Sequence, residues 1–392
     1  MLNRRILRVK AMQALYSYFT ARESLKEVVR EKMESQFYPD PAKDDFSESD
    51  KFTERRKMAS KLFNENLPAR KVQNTEDVEE DVVDAVNAAI EEYYKELQKE
   101  RRTIKKDMLD DVDDINRLYL KLMILPIEIA HIEKLEQEKK LKAYINKDSP
   151  WKWNFITNPV VDDLTKFEEL TKAVIDENIA WDTDQVDQLK TWFKDIFRKD
   201  EVMNTYETNE NPTIDEHKDV ILHMFKKIIF KNESVSEYLS EMDLRWSENK
   251  PILKSLVAKT FQDYEQELDP PFELKSVSKN ADEDMEFFNV MFDETLAKSS
   301  ELDALIEKKI KNWDISRVAM TDRIILKMAI TEMMQFHSIP TKVTINEFIE
   351  ISKQYSTPKS KQFVNGILDV LANELTSDGV IRKSGRGLID NK

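Results

Sequence analysis

The residues best suited to bind a ligand are the cations at the start of the sequence. Residues 1–22 carry five Lys or Arg side chains and no Asp or Glu, on a helix-period pattern. Arg4, Arg5 and Arg8 stand one turn apart, where their guanidinium groups can project together. With Lys10 they could contact phosphates, and Arg can also stack on exposed bases. The alternative interpretation is a solvated basic helix start.

A second basic segment lies near the other end of the sequence. Residues 305–365 carry ten Lys or Arg against six Asp or Glu, whereas the whole chain has a formal net charge of −15. Residues 1–22 contribute +5 and residues 366–392 are balanced, so residues 23–304 carry −24. Two basic segments on a strongly acidic body indicate one local surface for an anionic partner, with nucleic acid the favoured class.

The elements that must position these residues are predicted to be helices. Only four of 392 residues are Gly, and long apolar residues recur at three- and four-residue spacing. The clearest module lies in the last third of the sequence, with Pro340 and Pro358 at breaks between its helices. Its helices are predicted over residues 282–296, 302–311, 315–334, 344–354 and 361–375. The sequence therefore predicts an all-α protein with few tight turns.

The composition also excludes several kinds of site. The chain has no Cys, so disulfides and thiolate metal sites are excluded, and none of its four His forms an HxxxH pair. No apolar run approaches the ~20 residues of a membrane span. The Arg-rich start also fits a mitochondrial transit peptide. The dense apolar and aromatic residues from Met12 to Phe19 favour a helix that docks instead.

Several separated blocks of sequence resemble the NusB family of transcription antitermination factors. The similarity covers about residues 1–22 and 285–375. Its blocks are Asn3-Arg4-Arg5 with Arg8, Ala11-Met12-Gln13-Ala14-Leu15-Tyr16, Asp322-Arg323-Ile324-Ile325-Leu326, Ile339-Pro340 with Lys342-Val343, Ile345-Asn346-Glu347, and Phe363-Val364-Asn365-Gly366-Ile367-Leu368-Asp369. The resemblance implies an all-α, NusB-like domain of two packed three-helix bundles, here expanded by a long helical insertion.

This resemblance implies a division of the chain into four parts. Residues 1–35 would be the N-terminal basic helix of the NusB-like domain, and 36–284 a mostly helical acidic insertion. Residues 285–376 would be the C-terminal NusB-like bundle, and 377–392 a flexible tail.

Gly366 stands inside a helical pattern, where Gly costs roughly 1 kcal/mol relative to Ala. We therefore expect it to mark a close approach between helices.

The resemblance also implies a function in the cytoplasm. Family members bind boxA-type single-stranded RNA of ribosomal RNA transcripts, together with the small-subunit ribosomal protein NusE, within the transcription elongation complex. RNA contacts are expected from Arg4, Arg5, Arg8, Lys10, Lys359, Lys361 and Phe363, and partner contacts from Asp322, Arg323 and Lys327. The position of Lys359 is commonly acidic in the family. The alternatives are core packing for Phe363 and a solvated face for the three partner residues.

Two other classes of function are alternatives to RNA binding. NusB-like domains also occur fused to ribosomal RNA cytosine methyltransferases, which need a nucleophilic Cys and a Rossmann-type sheet. This chain has no Cys and almost no strand pattern, so no catalytic residue, metal or cofactor is expected. The remaining alternative is a helical protein–protein scaffold in which the acidic residues 23–304 bind the partner and the basic ends only pack.

Overall fold

The computed structural model describes residues 4–39, 49–73, 78–142, 151–278, 280–310 and 317–391, and every regular element in these ranges is helical. The all-α prediction is confirmed. The α-helices are α1 (Arg4–Ser35), α2 (Ser49–Asn66), α3 (Glu80–Met123), α4 (Leu125–Lys142), α5 (Pro159–Lys166), α6 (Glu168–Asp176), α7 (Thr183–Asp195), α8 (Glu201–Thr208), α9 (Ile214–His223), α10 (Glu233–Met242), α11 (Trp246–Gln262), α12 (Ala281–Ala297), α13 (Ser299–Glu307), α14 (Met320–Gln335), α15 (Thr341–Tyr355) and α16 (Ser360–Ser377). Short 3-10 helices span Phe197–Lys199 and Gly385–Asn391, and a π-helical turn spans Met224–Ile229. None of the described helices is both long and apolar enough to cross a membrane.

The chain divides into two compact units. Unit 1 contains Asp110–Ala281, and unit 2 combines Arg4–Leu109 with Asp282–Lys392. The helix predicted over residues 315–334 is observed at Met320–Gln335, and residues 315–316 lie outside the described ranges. The four-part division predicted from the sequence stays a prediction.

The centre of unit 2 is α14, which packs against α1, α13, α15 and α16. Its apolar residues from Ile324 to Met333 are at most 1 % exposed, so α14 is enclosed on nearly all sides. On helix α1 the buried residues Leu7, Ala11, Leu15 and Phe19 recur every four residues and therefore share one face. A charged side chain on α14 must consequently find its partner inside the protein.

A second apolar cluster of unit 2 joins the end of α1 to α2 and α3. Val29 and Met33 of α1 meet Phe63 of α2 and Val86 and Ile90 of α3, all at most 3 % exposed. Further along α3, Arg101 and Lys105 bind Asp293 of α12 at 2.7 and 2.8 Å. These contacts place α2 and the first part of α3 in the same compact unit as α14.

Unit 1 contains two fully buried carboxyl groups, Glu133 of α4 and Glu207 of α8. One Glu133 oxygen accepts a hydrogen bond from the Trp151 indole at 2.9 Å. Glu207 accepts from the backbone N–H groups of Asn154 and Phe155 at 2.7 and 3.0 Å. The two carboxyls thereby hold the segment that precedes α5. Burial, followed by repulsion from Glu207, raises the pKa of Glu133 to about 8.

Candidate nucleic-acid interface

The start of α1 presents two exposed arginines. The Arg5 guanidinium donates to both carboxylate oxygens of Glu347 on α15, at 2.8 and 2.7 Å. These hydrogen bonds raise the pKa of Arg5 and lower that of Glu347. The Arg5 side chain is nevertheless 48 % exposed. The exposed Arg4 guanidinium lies 5.3 Å from the centre of the Phe287 ring. Both cations are therefore oriented by neighbouring side chains while keeping contact with solvent.

Arg8 has a different environment from Arg5. Its guanidinium donates to both oxygens of Glu332 on α14, at 2.6 and 2.7 Å, and the two side chains are 3 % and 0 % exposed. The Thr344 hydroxyl donates to the same carboxylate at 2.8 Å. The rings of Phe287 and Phe348 lie 5.6 and 5.9 Å from the guanidinium. Arg8 therefore joins α1 to α14 inside the protein.

Lys10 is also enclosed, at 1 % exposed. The sequence prediction grouped Arg8 and Lys10 with Arg4 and Arg5 as RNA contacts. As the helices pack here, neither Arg8 nor Lys10 presents its charge to solvent, because both lie among the residues that α1 buries. The exposed part of this predicted group is Arg4 and Arg5.

The start of α16 carries the other predicted contacts. Lys359 and Lys361 are exposed, and neither forms an ion pair with the part of the chain that the structure describes. Phe363 is half-buried. Between the lysines, the Ser360 hydroxyl points inward and donates to Asp322 of α14 at 2.8 Å. This bond fixes the first turn of α16, so that the two lysines project from a held position.

The buried contacts beside the two exposed basic groups lie toward opposite ends of α14. Arg8 binds Glu332 near the end of α14, whereas Ser360 binds Asp322 near its beginning. Ten residues of α-helix separate these two partners, a rise of about 15 Å. Both groups therefore belong to unit 2, beside contacts that are spaced along one helix.

The predicted partner-binding charges are also engaged within unit 2. Arg323 and Lys327 both bind Asp303 of α13, at 3.1 and 2.6 Å. Lys327 is 3 % exposed and also donates to the Ser299 hydroxyl at 2.8 Å. Burial lowers its pKa. Asp322, at 6 % exposed, faces Ser360 instead.

Of these three residues, Arg323 reaches the surface most. It lines a cleft of 280 Å³ with Phe19, Arg22 and Met320, among others. Its side chain is 32 % exposed. A partner could therefore contact Arg323, whereas Asp322 and Lys327 connect helices.

Sequence reasoning assigned no role in the site to the carboxylates that organise it, Glu332, Glu347 and Asp303, although Glu347 stands in one of the family-like blocks. A signal for Glu332 existed, because an acid inside the apolar run of α14 implies an internal cationic partner.

The surroundings of Gly366 correct another expectation. Within the described chain, nothing lies within 4 Å of a Cβ added there, so no helix approaches closely at this position.

Comparison with known proteins identifies the protein family that this chain resembles. The NusB family model matches residues 252–373. The NusB antitermination proteins of Salinibacter ruber and Chloroherpeton thalassium are 47 % and 45 % identical over 104 and 105 residues, which are 26 % and 27 % of this chain. The chain spans only 65 % and 50 % of those two relatives.

A third relative and a solved structure extend the comparison. The NusB antitermination protein of Natranaerobius thermophilus is 39 % identical over 106 residues, covering 26 % of this chain and 76 % of the relative. A structure of T. maritima NusB is 31 % identical and covers 31 % of this chain and 86 % of that one, with a TM-score of 0.24. The chain belongs to the NusB family.

Proposed function

We propose that this protein is a non-enzymatic transcription antitermination factor that binds boxA-type single-stranded RNA of ribosomal RNA transcripts, acting with the ribosomal protein NusE. It would work in the cytoplasm as part of the transcription elongation complex. The observation that carries the proposal is the pair of exposed, oriented basic groups on unit 2, Arg4 with Arg5 and Lys359 with Lys361. Membership in the NusB family supports the same conclusion.

In this proposal the predicted RNA residues divide into two roles. Arg4, Arg5, Lys359 and Lys361 contact phosphates, and the half-buried Phe363 offers a ring edge to a base. Arg8 and Lys10 support the site by holding α1 in place. An extended strand would run along α14, whose residues Glu332 and Asp322 hold the neighbours of the two groups, Arg8 and Ser360. Four phosphate contacts at ~0.7 each give a log–log salt slope of about −3.

The partner surface would centre on Arg323. Its part-exposed side chain and the adjacent 280 Å³ cleft support a contact with NusE. Asp322 and Lys327 would act indirectly, by fixing α16 and α13 against α14.

The test is fluorescence anisotropy with a boxA-type oligonucleotide and a scrambled control. Titrations are made with and without NusE at two salt concentrations. We expect a boxA preference that increases with NusE. It should fall in Arg5→Ala and in Lys359→Ala/Lys361→Ala, and persist in Lys57→Ala, which removes an exposed cation from α2. Arg8→Ala is unsuitable here, because it breaks a buried ion pair.

A helical scaffold for ribosome assembly or transcription complexes is the second candidate. The net charge of −24 on residues 23–304 favours it, because an acidic body suits basic partners. Equal, weak binding to both RNAs, unchanged by NusE or by the variants, would support the scaffold and refute the antitermination proposal.

A further inference from the structure

Unit 2 contains a cleft that is far in sequence from the residues of the candidate interface. It has a volume of 530 Å³ and lies between the turn after α2 and the first half of α3. Arg70 and Lys71 line it from the turn, and Tyr94 and Lys95 line it from α3. None of these residues belongs to the region that the NusB family model matches, residues 252–373. The volume falls in the range of small-ligand sites.

The turn that forms one wall is fixed to its surroundings by side chains. The Asn66 and Asn87 side-chain oxygens accept the backbone N–H groups of Gln73 and Val72, at 3.0 and 2.9 Å. The Tyr94 hydroxyl donates to the backbone carbonyl of Leu67 at 2.8 Å. The wall is therefore tied to α3 at two points, and its side chains project from a defined backbone.

Arg70 occupies an unusual backbone conformation in this turn. Its φ of 62° lies in the left-handed region, which disfavours residues with a Cβ. In this conformation the Arg70 guanidinium lies 4.5 Å from the centre of the Tyr94 ring. Strained residues of this kind concentrate at binding sites. The stacked pair presents a flat, cationic surface to the cleft.

The charge of the cleft differs from that of the surrounding sequence. Arg70, Lys71 and Lys95 are exposed, and none forms an ion pair with the part of the chain that the structure describes. One acid, Glu91, also lines the cleft, and Ile90 gives it a buried apolar floor. Three cations that have no ion-pair partner among the described residues are notable within residues 23–304, which carry −24.

We propose that this cleft binds a ribonucleotide. Arg70, Lys71 and Lys95 would bind the phosphate, for which a guanidinium and ammonium groups are suited. The base would lie on the Arg70–Tyr94 stack, and Glu91 would accept a hydrogen bond from a ribose hydroxyl. The ribonucleotide is either one unit of a single-stranded RNA or a free nucleotide. The RNA source rests on the proposed RNA-binding function, and the free-nucleotide source does not.

The experiment uses the full chain and two kinds of probe. The first is a fluorescent N-methylanthraniloyl derivative of AMP, displaced by unlabelled AMP, UMP or inorganic phosphate. The second is boxA-type RNA, with and without a single-stranded extension. Arg70→Gln/Lys95→Gln removes two charges from the cleft. Lys57→Gln/Lys61→Gln removes the same charge from exposed positions of α2 and is the matched control.

If the source is a free nucleotide, the cleft variant weakens AMP binding at least ~10-fold and the control does not. If the source is RNA, the cleft variant removes the affinity that the extension adds and lowers the salt slope by about 1.4, at ~0.7 per contact. Equal losses in cleft and control variants would overturn the proposal, as would displacement by phosphate as effective as by AMP. The absence of both nucleotide and extension binding would also overturn it.

The two proposals fail in different ways. If Arg5→Ala loses the boxA preference but still binds AMP or the RNA extension at the cleft, the candidate interface and the cleft are separate sites. A chain with no boxA preference that still binds AMP through Arg70 and Lys95 would refute the antitermination proposal and support the cleft.

Discussion

Replacing Arg8 by Ala should destabilise unit 2 far more than replacing Arg5. The Arg8–Glu332 pair is 3 % and 0 % exposed, and Ala leaves the Glu332 carboxylate buried, with the Thr344 hydroxyl as its remaining partner among the described residues. Removing one partner of a buried ion pair costs about 3–5 kcal/mol. Arg5 and Glu347 are 48 % and 21 % exposed, so Arg5→Ala should cost no more than ~1 kcal/mol.

Urea denaturation followed by circular dichroism measures both costs. The two compact units can give two unfolding transitions, and Arg8 and Glu332 both belong to unit 2. The costs are therefore read from the transition whose midpoint Arg8→Ala changes. The double variant Arg8→Met/Glu332→Met removes both charges and should recover most of the loss. The reasoning is refuted if Arg8→Ala is as stable as Arg5→Ala and loses boxA affinity to the same extent, because Arg8 would then contact RNA directly.

Three other changes have expected outcomes. Gly366→Ala should stabilise unit 2 by about 1 kcal/mol, measured as a higher Tm, because the added Cβ meets nothing in the described chain within 4 Å; a lower Tm would contradict this. Ser360→Ala should cost about 1–3 kcal/mol in urea denaturation, because it removes a hydrogen bond to the buried Asp322; an unchanged midpoint would show that Asp322 does not need it. Because the pKa of Glu133 is raised from 4.5 to about 8, unit 1 should lose stability as the pH rises through that interval. Glu133→Gln should reduce this loss by roughly 2–4 kcal/mol at pH 8, and parallel pH profiles for the two proteins would argue against a raised pKa.

The fold class followed from the sequence because local information determines it. Scarce Gly and helix-period apolar residues predicted helices, and α12 and α16 appear within two residues of their predicted bounds. The sign and position of the charges at the candidate interface were equally readable. Their burial was not, because the partners of Arg8 and Lys327 lie on helices that are adjacent only in three dimensions. A local pattern shows Arg5 and Arg8 as equivalent, whereas packing against α14 makes one exposed and the other enclosed.

The distance in sequence between α1 and its partners affects how the protein is made. Arg8 and Glu332 are 324 residues apart, and Arg5 and Glu347 are 342 apart. At a ribosomal rate of roughly 5–20 residues per second, synthesis of the chain from Arg8 to Glu332 of α14 takes about 16–65 s. All of Asp110–Ala281 emerges during that interval and can fold first. The end of α1 can pack early against α2 and α3, but the apolar face from Leu7 to Phe19 stays exposed through most of the synthesis, and exposed apolar surface of this kind is what chaperones bind.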